Sequence, residues 1–106
     1  MYEEMFADRL AKLRTLKGVS AREMSLAVGQ NESYINRIEN GLAYPSMQVF
    51  FYICEYLQVT PEEFFAIDNP EPVELRNIMS DLKALNHEQI ENIHQLIRGL
   101  KKADQK

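Results

Sequence analysis

Cysteine is almost absent from this 106-residue chain, and Cys54 is the single thiol. One thiol cannot close an intramolecular disulfide, so a disulfide-stapled secreted scaffold is excluded. Long apolar runs are missing too: no stretch approaches the roughly 18 consecutive apolar residues of a membrane span. The opening MYEEMFADRL carries acids where a signal peptide needs a basic start and an apolar run. These absences predict a cytoplasmic protein with no membrane partner. Positive charge is not in excess either. Twelve basic side chains stand against 16 acidic ones, a net charge of −4. Before residue 70 the only cations are Arg9, Lys12, Arg14, Lys17, Arg22 and Arg37, against ten acids. Bulk charge therefore excludes a coat for nucleic acid and leaves room for a local basic patch. Proline and glycine are scarce, four of each, and they fall at segment borders.

What is present is an ordinary globular balance, 45% apolar and 26% charged. A chain this long hides roughly two thirds of its unfolded surface, enough for one core without metal or disulfide. The apolar spacing is helical. Phe6, Leu10, Leu13 and Leu16 mark one face of a helix over about residues 3–17, stopped at Gly18. Ser20 and Glu23 form a capping box for a short helix through Met24, Ala27 and Val28, ended by Gly29. Asn31 is placed to cap a third helix, about 31–40, which carries Tyr34, Ile35 and Ile38 and ends at Asn40-Gly41. Pro45-Ser46 starts a fourth, with Met47, Phe50, Ile53, Cys54 and Leu57 on its core face. Thr60 and Glu63 form a second capping box, with Pro61 at the first helical position, for a fifth helix that buries Phe64 or Phe65. No window alternates as a strand does, so the sequence predicts an all-α protein.

Residues 68–72, DNPEP, read as a linker between domains 1–69 and 70–106. Beyond it, Leu75, Ile78, Met79, Leu82 and Leu85 form one helical stripe. Asn86 caps a last helix, with Gln89 at its third position and a stripe of Ile90, Ile93, Ile97 and Leu100. The stripes predict a C-terminal two-helix hairpin whose helices bury each other. A hairpin of ~30 residues is marginal alone and needs a further surface. The closing KKADQK reads as frayed.

Two short helices joined through Gly29, the second closed by Asn40-Gly41, form the frame of a helix-turn-helix. Met24, Val28, Ile35 and Ile38 hold the pair together. Glu32, Ser33, Asn36 and Arg37 then occupy a polar outer face free to enter a groove. SYINRIENG at 33–41, followed by Pro45-Ser46, resembles the lambda-repressor and Cro-like (XRE-type) helix-turn-helix regulators. The resemblance runs from about Leu10 to Phe65 and takes in RLAKLRTLKGVS and VTPEEFF.

That resemblance implies a five-helix domain whose third helix lies in the DNA major groove. It places base reading on Glu32, Ser33, Asn36 and Arg37. Arg37 can fork onto guanine N7 and O6, and Glu32 can accept from cytosine N4. Phosphate contacts fall to Lys17, Arg22, Asn40 and Ser46. Arg14 and Glu39 match a buried ion pair between the first and third helices. The chain departs from the family pattern at Ala21, where a phosphate-clamping Gln is usual, and at Leu42-Ala43-Tyr44, where the loop is often basic. Each missing cation lowers affinity for DNA and flattens its salt dependence.

The remaining residues have plainer readings. Cys54 reads as inert core packing. His87, Glu91 and His94 have a spacing that can ligate metal, yet they read as a solvated face. No metal or cofactor is expected, and no nucleophile–base pair or Gly-rich loop suggests an enzyme. A second row on the fourth helix, Val49, Tyr52 and Tyr56, is a candidate docking face together with Ile78, Leu82, Ile90, Ile93 and Ile97 of the tail. The sequence thus predicts a DNA-binding transcriptional regulator, a repressor reading double-stranded DNA as a homodimer. The alternative is a protein-interaction module on the same fold, an antitoxin or anti-repressor with a protein partner.

Overall fold

The structure, a computed structural model, describes residues 2–104. Among them are seven helices and no strand: α1 (Tyr2–Lys17), α2 (Ala21–Ala27), α3 (Tyr34–Glu39), α4 (Met47–Leu57), α5 (Pro61–Phe65), α6 (Pro72–Lys83) and α7 (His87–Asp104). Capping chemistry sets the borders. Ser20 Oγ accepts from the Glu23 N–H at 3.0 Å, and the Glu23 carboxylate accepts from the Ser20 N–H at 3.5 Å. Thr60 and Glu63 repeat this reciprocal pair at α5, at 3.0 and 2.9 Å. Asn86 and Gln89 repeat it at α7, at 2.9 and 3.1 Å. Each pair occupies two backbone donors that a helix start otherwise leaves to water.

The chain divides into two compact units, Met1–Val73 and Glu74–Lys106. The division lies just past the DNPEP segment because Pro72 is buried and Val73 packs on the first unit's core. That core is built from one side of each of the first five helices. Leu10 and Leu13 of α1 meet Met24 of α2, Ile35 and Ile38 of α3, Phe50, Ile53, Cys54 and Leu57 of α4, and Phe64 of α5. Phe64 is fully buried while Phe65 is exposed, which resolves the alternative at α5. Phe6 links the rings of Tyr44, Phe50, Phe64 and Phe65 at centroid distances of 5.1–6.2 Å.

Several sequence expectations are corrected here. Met47, expected on the core face of α4, is 65% exposed because it sits in the first turn, ahead of the packed segment. Leu16, expected on the buried face of α1, is exposed. At about 100° per residue it falls at the edge of the stripe set by Phe6, Leu10 and Leu13. The third helix starts at Tyr34, not at Asn31. Asn31 Oδ1 instead accepts from the Ser33 N–H at 3.1 Å and from Ser33 Oγ at 2.9 Å, an Asx-type turn ahead of the helix.

In the second unit the stripes do not bury each other. No residue of α7 is buried. Leu82, Leu85 and Ile93 are half-buried, while Leu75, Ile78, Met79, Ile90, Ile97 and Leu100 are exposed, Leu100 by 60%. Of the tail expected to be frayed, residues 101–104 are helical, since α7 runs through Asp104. Gln105 and Lys106 lie outside the described residues.

Candidate nucleic-acid interface

Two anchors fix the α2–turn–α3 geometry. Ser25, fully buried on α2, donates Oγ–H to the Ala21 carbonyl at 2.8 Å and accepts from the Ile35 N–H at 2.9 Å. Ile35 is the second residue of α3, whose own N-cap, Ser33, makes no side-chain capping bond. Ser25 therefore caps α3 from the neighbouring helix. At the other end of α3, Glu39 meets Arg14 of α1 through two parallel bonds, Nε to Oε2 at 2.7 Å and Nη2 to Oε1 at 2.9 Å. Arg14 Nη1 also donates to the Val19 carbonyl at 2.9 Å. The Glu39 bonds raise the Arg14 pKa above its ordinary value, against the opposing effect of burial. Between these anchors the chain reverses at Gly29, whose φ of +78° is a left-handed backbone that glycine adopts without strain.

The anchors leave one side of α3 and its preceding turn in solvent. Glu32, Ser33, Asn36, Arg37 and Asn40 are all exposed, while Ile35 and Ile38 point into the core. Glu32 and Ser33 sit in the turn and not on the helix, a consequence of the later helix start. Glu32 pairs with Arg22 of α2 at 3.2 Å, both side chains well exposed. This pair joins a residue expected to read a base with one expected to hold phosphate. Asn40 Nδ2 donates to the Asn36 carbonyl and to Asn36 Oδ1, both at 2.9 Å.

Around this face the expected phosphate contacts take different roles. Ser46 caps α4, its Oγ accepting from the Val49 N–H at 3.2 Å. That leaves the hydroxyl proton free to donate outward. Lys17 holds its ammonium 4.9 Å above the Tyr56 ring. Tyr34 lies half-buried near the Ser46 backbone. Burial raises its phenol pKa, and the Ser46 backbone opposes that shift. No group of side chains among the described residues could hold a metal ion. His87 lies 3.6 Å from Glu91 on an open helix face.

A helix-turn-helix family model (HTH_3) matches residues 10–64, the segment that carries the whole arrangement. The chain belongs to the XRE-type helix-turn-helix family. The restriction-modification controller protein C.AhdI from Aeromonas hydrophila is similar in structure, with a TM-score of 0.55 and 31% sequence identity. The likeness covers 58% of this chain and 90% of that one. A search of curated proteins gave no match. The family and this neighbour place the chain among DNA-binding transcriptional regulators. No helix among the described residues is long and apolar enough to cross a membrane.

Within this helix-turn-helix frame, the second row on α4 divides. Val49 and Tyr56 pack half-buried against the domain's own core. Tyr52 is exposed, its hydroxyl 2.9 Å from Gln48 Nε2. Of the tail residues, Ile78, Ile90 and Ile97 are exposed, and Leu82 and Ile93 are half-buried. Burial pushes the Cys54 thiol up to about 11, which keeps it protonated and inert.

Two structural residues were missed by sequence reasoning. Ser25 lies on the core face of α2 next to Met24, and a small polar residue at a buried helical position is the signal that could have found it. Arg9 is only 3% exposed. Its Nη2 donates to the Glu63 carbonyl at 2.8 Å and its Nε to the Phe64 carbonyl at 2.6 Å, so it closes the C-terminal end of α5. Burial lowers its pKa, and Asp68 opposes that shift. Arg9 falls three residues after Phe6 and four before Leu13, on the buried stripe itself, and that position was legible.

Proposed function

We propose that this protein is a sequence-specific repressor that reads double-stranded DNA as a homodimer, with the exposed side of α3 in the major groove. The observation that carries the reading is the polar face of Glu32 and Ser33 in the turn and of Asn36 and Arg37 on α3, a helix anchored at both ends by Ser25 and Arg14. A face fixed to the core on both sides costs little conformational entropy on binding. Arg37 is the base reader with the strongest chemistry, a planar fork matched to guanine N7 and O6. Glu32 accepts from cytosine N4 once Arg22 leaves it for a phosphate. Lys17, Arg22, Ser46 and Asn40 contact the backbone, Asn40 after releasing Asn36. The C-terminal helices hold two copies so that two α3 helices meet half-sites ~34 Å apart on one face of the duplex.

A second reading, a protein-interaction module on the same domain, is favoured by the exposed Tyr44, Met47, Phe51 and Phe65. One experiment separates the two. Binding sequences are selected from a random duplex pool at low salt, with wild-type and Arg37→Ala proteins in parallel. The DNA reading predicts an enriched palindrome that the variant loses. No enrichment by a folded wild-type protein contradicts it and favours the protein partner.

A further inference from the structure

We infer that α7 is the self-pairing element, and that it packs antiparallel against α7 of a second copy of this chain. The inference rests on the dimeric reading above and specifies which helix and which direction. No residue of the α7 stripe is buried: Ile90, Ile97 and Leu100 are exposed and Ile93 is half-buried. Its members recur at Ile90, Ile93, Ile97 and Leu100, and the next positions of the same seam are Asn86 before and Asp104 after. The alternating four- and three-residue spacing is that of a coiled-coil seam. The order is also the same read from either end about residue 95. Reversal places Ile90 against Leu100, Ile93 against Ile97 and Asn86 against Asp104 of the second copy. Every aliphatic group meets an aliphatic group, and at each end an amide meets a carboxylate. In the parallel arrangement two Asp104 carboxylates face each other.

Charge gives the same direction. The first half of α7 carries Glu88 and Glu91, and the second half carries Arg98, Lys101 and Lys102 ahead of Asp104. Antiparallel packing sets the acidic half of each helix beside the basic half of the other, and parallel packing sets like beside like. Long-range attraction of this kind chooses orientation more than it adds affinity. His87 lies near Glu91 within its own helix and offsets that acid only when protonated.

Sedimentation equilibrium on the full chain tests this with four proteins: wild type, Glu91→Lys, Arg98→Glu and the double exchange. Each single change leaves one sign along most of α7 and raises the dimer Kd by roughly three- to ten-fold. The double exchange restores opposite signs at positions 91 and 98, which face each other across the antiparallel pair, and returns Kd to within about two-fold. Ile97→Asp dissociates the dimer, while unchanged helicity of the first unit shows that the protein still folds. Single changes without effect overturn the antiparallel direction. A dimer that survives Ile97→Asp overturns α7 as the seam, yet leaves dimeric DNA reading intact. A wild-type chain that stays monomeric at every concentration removes both.

Discussion

Ser25→Ala should unfasten α3 without touching its outer face. The Ser25 hydroxyl makes two bonds, and they are not equivalent. The Ala21 carbonyl lies within α2, where it also meets the helical N–H four residues on, so it keeps a partner. The Ile35 N–H is in the first turn of α3, where no intrahelical carbonyl reaches it. Ile35 is fully buried, so water cannot replace the lost oxygen. A buried donor left unpaired costs about 1–3 kcal/mol, and loss of a helix cap about 0.5–2 kcal/mol; these describe the same loss and are not summed. We expect about 2 kcal/mol, a fall in Tm of roughly 10 °C for a domain of this size. Ser33→Ala is the control. Ser33 occupies the N-cap position but makes no capping bond, and its hydroxyl only joins Asn31 in solvent, so it should cost less than about 0.5 kcal/mol. Urea unfolding followed by far-UV circular dichroism measures both. A Ser25→Ala protein within 0.5 kcal/mol of wild type, or equal losses in the two variants, would refute the cross-helix cap.

Further outcomes follow from other contacts. Arg14→Met and Glu39→Gln should each cost about 2 kcal/mol, because either leaves a mostly buried partner unpaired. Their double-mutant cycle should show coupling above about 1 kcal/mol, and additive losses would contradict the bidentate pair. Glu32→Gln removes an anion from the surface proposed to face DNA and an exposed ion pair. It should raise non-specific duplex affinity by roughly three-fold at low salt and change stability by less than about 0.5 kcal/mol. Unchanged or weaker binding would mean that Glu32 lies away from the phosphates. Burial pushes the Cys54 thiol up from its ordinary value of 9.0 to about 11. The folded state therefore holds the proton more tightly. Its contribution is complete below pH 9 and is lost as pH rises toward 11, by up to about 1.4 kcal/mol per pH unit. The stability difference between wild type and Cys54→Val should move by that amount over this window, and a constant difference would contradict the burial assignment.

The sequence carried the helices and their order because local signals and the global fold agree. The Ser20, Thr60 and Asn86 caps all form as their spacing indicates, and the core stripes of α3 and α4 are mostly inward. It misplaced the start of α3 because Asn31 can stabilise either a helix cap or an Asx turn, and periodicity cannot choose between them. It overlooked Ser25 and Arg9 because both are polar residues satisfied by backbone groups of another helix, ten residues away for Ser25 and far more for Arg9. The Arg9 partners lie 54 and 55 residues away, beyond the reach of any local pattern. The polar face at Asn36 and Arg37 was legible as the outward complement of Ile35 and Ile38. The Arg22–Glu32 pair was not, since it depends on how closely α2 approaches the turn. The hairpin stripes were legible as apolar faces, but a stripe says only that something covers it. In this chain the two stripes leave most of each other open.

In the proposed reading the exposed side of α3 reads bases, with Arg37 as its principal reader. The most direct test compares wild-type and Arg37→Ala affinities for the selected operator and for a scrambled duplex, by fluorescence anisotropy at fixed salt. Loss of a bidentate guanine contact removes about 1–3 kcal/mol of discrimination per half-site, so the specific-to-scrambled ratio should collapse by ten-fold or more. An equal drop on both duplexes would make Arg37 a phosphate contact and move the reading of sequence elsewhere.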